Sequence, residues 1–80
     1  MRVTSLFFAS YRDLVGAEEI VLDLPEGSTV SQLVEQVRSR PGADALPETP
    51  AVAVNREYAS IDKVLSDGDE VAFIPPVAGG

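Results

Sequence analysis

The sequence reads as an α+β domain, a mixed sheet wrapped around one main helix. Three observations lead there. Short β-branched or alternating apolar runs stand near both ends of the chain, and a single central stretch carries an apolar stripe at helical spacing. At 80 residues, the chain has room for one domain and one small core.

The first strand is read over Val3 to Ala9, a β-branched and aromatic run. Its two parities are almost equally apolar: Val3, Ser5, Phe7 and Ala9 on one side, Thr4, Leu6 and Phe8 on the other. A sheet covered on one face leaves one of the two phenylalanines near solvent. Ser10 to Gly16 reads as a turn or a single helical turn, with Leu14 and Val15 available to the core and Gly16 as the stop. Glu19 to Leu24 alternates, with Ile20, Leu22 and Leu24 on one face, and Pro25-Glu26-Gly27 closes this second strand.

The helix signal follows. Thr29 and Gln32 have the spacing of a capping box. Val30, Leu33, Val34 and Val37 then fall at i, i+3, i+4 and i+7. Arg38 and Arg40 suit a helix C-terminus, and Pro41-Gly42 ends the run. Residues 41–50 carry three prolines and read as a surface loop pinned by Leu46, with no chemistry suggested. Ala51 to Asn55 is a strand with Val52 and Val54 on one side. Asn55-Arg56-Glu57 turns it into a brief return strand at Tyr58. Ile61, Val64 and Leu65 add apolar volume before the turn Ser66-Asp67-Gly68-Asp69. Glu70 to Ile74 is the last strand, with Val71 and Phe73 on one face and Ala72 and Ile74 on the other.

One helix must therefore cross between strands and lay its stripe on one sheet face. A right-handed crossover is expected to bring the strand after the helix alongside the first hairpin. The simplest closed arrangement is the β-grasp, a domain over residues 1–74 with an extended tail over residues 75–80.

Composition removes many functions. The chain has no cysteine and no histidine, so disulfides, thiolate or imidazole metal sites, cysteine nucleophiles and Ser-His-Asp hydrolysis are excluded. Thirteen acids against six bases give a net charge of −7, which argues against nucleic acid or an anionic membrane as the main partner. That charge serves solubility, or steers the protein toward a basic protein surface. No apolar run approaches a membrane span, and the start of the chain is no convincing signal peptide, so a cytoplasmic protein is expected. Asp67-Gly68-Asp69-Glu70 lacks the ligand spacing of a calcium loop and reads as a turn. No metal or cofactor is expected on this chain, and an autonomous enzyme is not expected either.

The C-terminus stands apart. The last strand runs into Pro75-Pro76-Val77-Ala78-Gly79-Gly80. Pro75 cannot donate to a ladder, and two prolines favour a stiff, polyproline-like exit. Gly79 and Gly80 have no Cβ, so they form a thin end able to enter a narrow tunnel. A terminal carboxylate there is a poor electrophile and must be activated elsewhere.

With Leu6-Phe7-Phe8-Ala9, Arg12-Asp13-Leu14-Val15-Gly16, Leu24-Pro25-Glu26-Gly27, Ala53-Val54-Asn55 and the block from Asp67 to Gly80, the chain resembles the small subunits of molybdopterin synthase. These are ubiquitin-like β-grasp sulfur carriers. The resemblance spans nearly the whole chain and is weakest from Pro41 to Pro50.

It implies that an ATP-dependent adenylating enzyme forms an acyl-adenylate on Gly80, that sulfur converts it to a thiocarboxylate, and that the tail enters the synthase large subunit. There, sulfur passes to cyclic pyranopterin monophosphate. The resemblance also implies a heterotetramer with the large subunit, which holds the acid–base groups; ATP is used by the activating partner. Gly80, with Gly79 before it, is the expected reactive site.

Ordering Val77, Ala78 and the two glycines costs about 6 kcal/mol at roughly 1–2 per residue. About 240 Å² of apolar burial offsets it. Phe8, Tyr58 and Ile74 are expected to supply that area from the face opposite the helix, with Arg12 at the rim and Pro75, Pro76, Val77 and Ala78 in contact with the partner. Competing expectations are a carrier for the thiamine thiazole, a protein modifier joined to lysines, and a binding module with an incidental tail.

Overall fold

A computed structural model gives the structure, which describes residues 1–76. In chain order the elements are β1 (Arg2–Phe7), α1 (Ala9–Val15), β2 (Glu19–Asp23), α2 (Val30–Arg38), a 3₁₀ turn at Ala43–Ala45, β3 (Ala51–Val54), β4 (Glu57–Ala59) and β5 (Glu70–Ile74). The strands form one mixed sheet in the order β2-β1-β5-β3-β4. β1 and β5 run parallel, and the other neighbours are antiparallel. This is the expected α+β β-grasp.

Helix α2 forms for the reasons its sequence gives. The Gln32 N–H donates to Thr29 Oγ1 at 3.4 Å, and the Thr29 N–H donates back to Gln32 Oε1 at 2.8 Å, so both arms of the capping box are made. The stripe of Val30, Leu33, Val34 and Val37 is wholly buried. It packs on the inner sheet face, where Val3, Phe7, Val52, Val54, Val71 and Phe73 point. Phe7 and Phe73 are register partners in the parallel pair. Their rings meet at 4.9 Å with a 39° tilt, close to the offset geometry aromatic pairs favour. Leu46 is buried and pins the proline-rich loop as expected.

Four expectations need correction. β1 stops at Phe7, and Ala9 already opens α1, a seven-residue helix. That earlier start turns Tyr11 into the core and leaves Leu14 37% exposed, because Tyr11 and Val15, four apart, share the inward face. Gly16 does end the helix: at φ 82° it adopts the left-handed conformation that glycine tolerates. β3 does not lie beside the first hairpin. β5 occupies that place and β3 sits on its far side, because the last strand can enter parallel to β1 only through the centre of the sheet. Val64 adds nothing to the core; it bridges to Thr29 by its backbone and keeps its side chain in solvent.

The acidic turn before β5 is a structural clasp. Asp67 Oδ1 accepts the Arg2 N–H at 2.7 Å, and Asp69 accepts from the Ser66 N–H and from Asn55 Nδ2. These contacts join the starts of β1 and β5 to the β3–β4 turn.

Candidate functional site

The alternation of five strands decides which residues the molecule shows on the face away from α2. Register places Leu6 of β1 opposite Ala72 of β5, Ala72 opposite Ala53 of β3, and Ala53 opposite Tyr58 of β4. An apolar row therefore crosses four strands. One step nearer the end of β5, Ala51 and Ile74 are partners. Leu6, Ala53, Ala72 and Ile74 are half-buried, while Tyr58 is 80% exposed. A tyrosine left so bare on a sheet face contributes little to the fold and much to whatever covers it. Carboxylates border the row, with Glu19 opposite Leu6 and Glu70 on the same side of β5.

The expected site residues fall into two neighbourhoods. Tyr58, Ile74, Pro75 and Pro76 line one cleft of about 380 Å³ at the end of β5. Phe8 and Arg12 line a second, of about 290 Å³, together with Leu6, Glu18 and Glu19. Phe8 is 49% exposed while Phe7 is buried, so one phenylalanine does stay near solvent, but not from the sheet face opposite α2 where it was expected, because β1 ends at Phe7. Phe8 has left the sheet and stands at the N-cap of α1 with extended φ and ψ. Arg12, one turn on, approaches Glu18 at 3.4 Å. Both side chains are well exposed, so this pair contributes little to stability and is free to exchange Glu18 for another anion. Val77, Ala78, Gly79 and Gly80 lie outside the described residues.

Leu6, Ala53 and Ala72 belong to the exposed row although the sequence did not single them out. Parity was the available signal, since Leu6 stands two before Phe8 and Ala72 two before Ile74. Pro47, Pro50 and Tyr11 reach the cleft through contacts remote in sequence, which no local pattern announces. Among the described residues no cluster of three or more His, Cys, Asp or Glu has the geometry to hold a metal ion, and no helix is long and apolar enough to cross a membrane.

A ubiquitin-like body, an apolar sheet face and a proline exit at the end of the central strand define the class of small β-grasp carriers. The ThiS family model matches residues 5–80, and the chain belongs to that family. A similar protein is the molybdopterin synthase sulfur carrier subunit of Escherichia coli (strain K12), 45% identical over 78 residues, covering 94% of this chain and 95% of the relative. Among solved structures, one described as molybdopterin converting factor subunit 1 from Pyrococcus furiosus is 34% identical with a TM-score of 0.83, covering 96% of this chain and 99% of that one. SAMP1 from Haloferax volcanii is 25% identical with a TM-score of 0.87, and all of both chains is covered. The family resemblance drawn from the C-terminal block and the strand motifs is thus borne out.

Proposed function

We propose that this chain is the sulfur-carrying small subunit of a molybdopterin synthase, inert alone and acting through the carbonyl of Gly80. A single observation carries the reading: the central strand β5 delivers Pro75 and Pro76 beside an exposed apolar face, and the family match continues from there through Gly80. A carboxylate cannot be attacked directly by sulfur. Transfer of AMP from ATP, with loss of pyrophosphate, converts its oxygen into a leaving group on an adenylating partner. Displacement of AMP by a sulfur nucleophile then leaves a thiocarboxylate. Within the large synthase subunit, the sulfur bonds to cyclic pyranopterin monophosphate, water hydrolyses the acyl–sulfur bond, and the tail returns to a carboxylate.

The side chains of this protein do none of the bond-making. Their work is to dock and to aim. The row from Leu6 to Tyr58 gives a partner an apolar footing, and the carboxylates Glu19 and Glu70 at its border favour a partner with a cationic rim. The stiff Pro75-Pro76 step fixes where the tail leaves that footing.

Removing Gly80, or adding one residue after it, tests the reading in a reconstituted synthase. Pterin sulfuration is expected to disappear while the fold stays intact. Retained sulfuration contradicts the proposal. Intact mass separates the protein-modifier alternative, which predicts isopeptide conjugates on lysines of other proteins where a carrier predicts the exchange of one oxygen for sulfur.

A further inference from the structure

Sheet order leaves β2 at one edge, with β1 on one side and no described strand on the other. Two contacts fix which way its backbone points. The Phe7 N–H donates to the Glu18 carbonyl at 2.9 Å, and the Leu24 N–H donates to the Met1 carbonyl at 2.8 Å. In an antiparallel pair, residues that bond the neighbouring strand alternate with residues that turn away from it. Residues 18, 20, 22 and 24 therefore bond β1, in the register that sets Ile20 against Ser5 and Leu22 against Val3. Glu19, Val21 and Asp23 turn their N–H and C=O groups outward, and among the described residues no backbone group meets them. Their side chains share the sheet face away from α2, since Ile20 between them is in the core. Val21 is 51% exposed and stands between two exposed carboxylates. Proline and bulges, which blunt many sheet edges, are absent from the strand, whose register runs unbroken from Glu19 to Asp23.

We infer that the β2 edge accepts an added antiparallel strand from another protein, one whose outer face reads cation, apolar residue, cation at alternate positions. Backbone pairing supplies the contact, and charge selects the occupant. A second copy of this chain, paired about Val21 so that all five residues of β2 engage, sets Glu19 opposite Asp23 at both ends. Like charges directly opposed across strands are destabilising. The cation–apolar–cation strand instead meets carboxylate, valine and carboxylate in turn on one face. Asp23 already approaches Arg2 at 3.4 Å, but those side chains are 78% and 72% exposed, and a pair so open to water exchanges at little cost. Glu19 has Leu6 opposite it and no cation there. The net charge of −7 draws a basic segment in the same direction. β2 stands two strands from β5, about 10 Å at ordinary strand spacing, so the added strand leaves the Pro75-Pro76 exit open. The inference is independent of the carrier reading.

The test uses the full chain, isotope-labelled for amide spectroscopy, with the capped synthetic peptide Thr-Lys-Thr-Val-Thr-Lys-Thr as probe. An analogue with Glu in place of both lysines is the comparison. The basic peptide is expected to shift the amide signals of Glu19, Val21 and Asp23 and to slow their hydrogen exchange. Ile20 and Leu22, already bonded to β1, are expected to change little, an alternation that loose electrostatic attraction does not produce. The acidic analogue is expected to leave all five unchanged. Val21→Pro removes one outward N–H and no bond to β1, and is expected to lose the response. Glu19→Lys combined with Asp23→Lys keeps every backbone group and is expected to reverse the preference toward the acidic peptide, which decides the matter should the proline variant fail to fold. No response to the basic peptide, a response without alternation, equal responses to the two peptides, or a folded Val21→Pro that responds as the wild type does overturns the inference.

Discussion

Tyr58→Ala separates folding from docking more cleanly than any other single change. The side chain is 80% exposed on an edge strand of three residues, so its loss should alter unfolding free energy by no more than about 0.5 kcal/mol. Docking is a different matter. A tyrosine buries about 150–250 Å² when fully covered, and most of that area is still free here. At about 25 cal/mol per Å² the available burial corresponds to roughly 3–5 kcal/mol. Fixing the ring against a partner takes back about 0.5–1.5 kcal/mol. The net expectation is a loss of about 2–4 kcal/mol in affinity for the large synthase subunit, or some thirty- to several-hundred-fold. Calorimetric titration against that subunit, run beside urea unfolding of the variant alone, measures both quantities. Unchanged affinity refutes the outer face as the docking surface; a large fall in stability refutes the claim that Tyr58 stands outside the core.

Other substitutions probe the body of the molecule. Ser5 is fully buried on the inner face between Ile20 and Val71, and its Oγ has no hydrogen-bond partner among the described residues. Ser5→Ala should raise stability by about 1 kcal/mol, since it removes an unsatisfied hydroxyl at little cost in volume; urea unfolding that shows a loss contradicts this. Thr29→Ala breaks the capping box and should lower stability by about 1 kcal/mol in the same assay. Arg56 sits at φ 73° beside Asn55 at φ 50°, in a two-residue hairpin turn of the kind that prefers glycine at its second position. Arg56→Gly relieves roughly 1–2 kcal/mol of left-handed strain against about 0.5–1 of added chain entropy, for a net gain of about 0.5–1 kcal/mol in the unfolding midpoint analysis.

Local periodicity explains what could be read before the structure. Helix α2 was legible from Thr29 to Arg38 because its stripe and its cap are both encoded within ten residues of chain. β5 was legible for a similar reason, as Val71 and Phe73 alternate with Ala72 and Ile74. That one of Phe7 and Phe8 stays near solvent was legible from the two apolar parities; that Phe8 does so from the N-cap of α1, outside the sheet, was not. What escaped depends on contacts far apart in sequence. No pattern in residues 9–15 shows that Ala9 takes a φ of 48° and starts a helix that buries Tyr11. The central place of β5 arises from pairing between residues 4 and 70, and alternation alone fixes a face without fixing a neighbour. The cleft at the end of β5 is the extreme case: Pro47 and Pro76 line it together only after α2, the loop and the whole sheet have assembled.

The proposed role stands or falls with the fate of a single carbonyl, and intact-protein mass spectrometry reads it directly. The purified chain would be incubated with ATP, the adenylating enzyme and a sulfur donor, then weighed. A gain equal to the exchange of one oxygen for sulfur is expected, confined to the peptide ending at Gly80 and absent when ATP is withheld. An unaltered mass under conditions that charge the Escherichia coli carrier would contradict it.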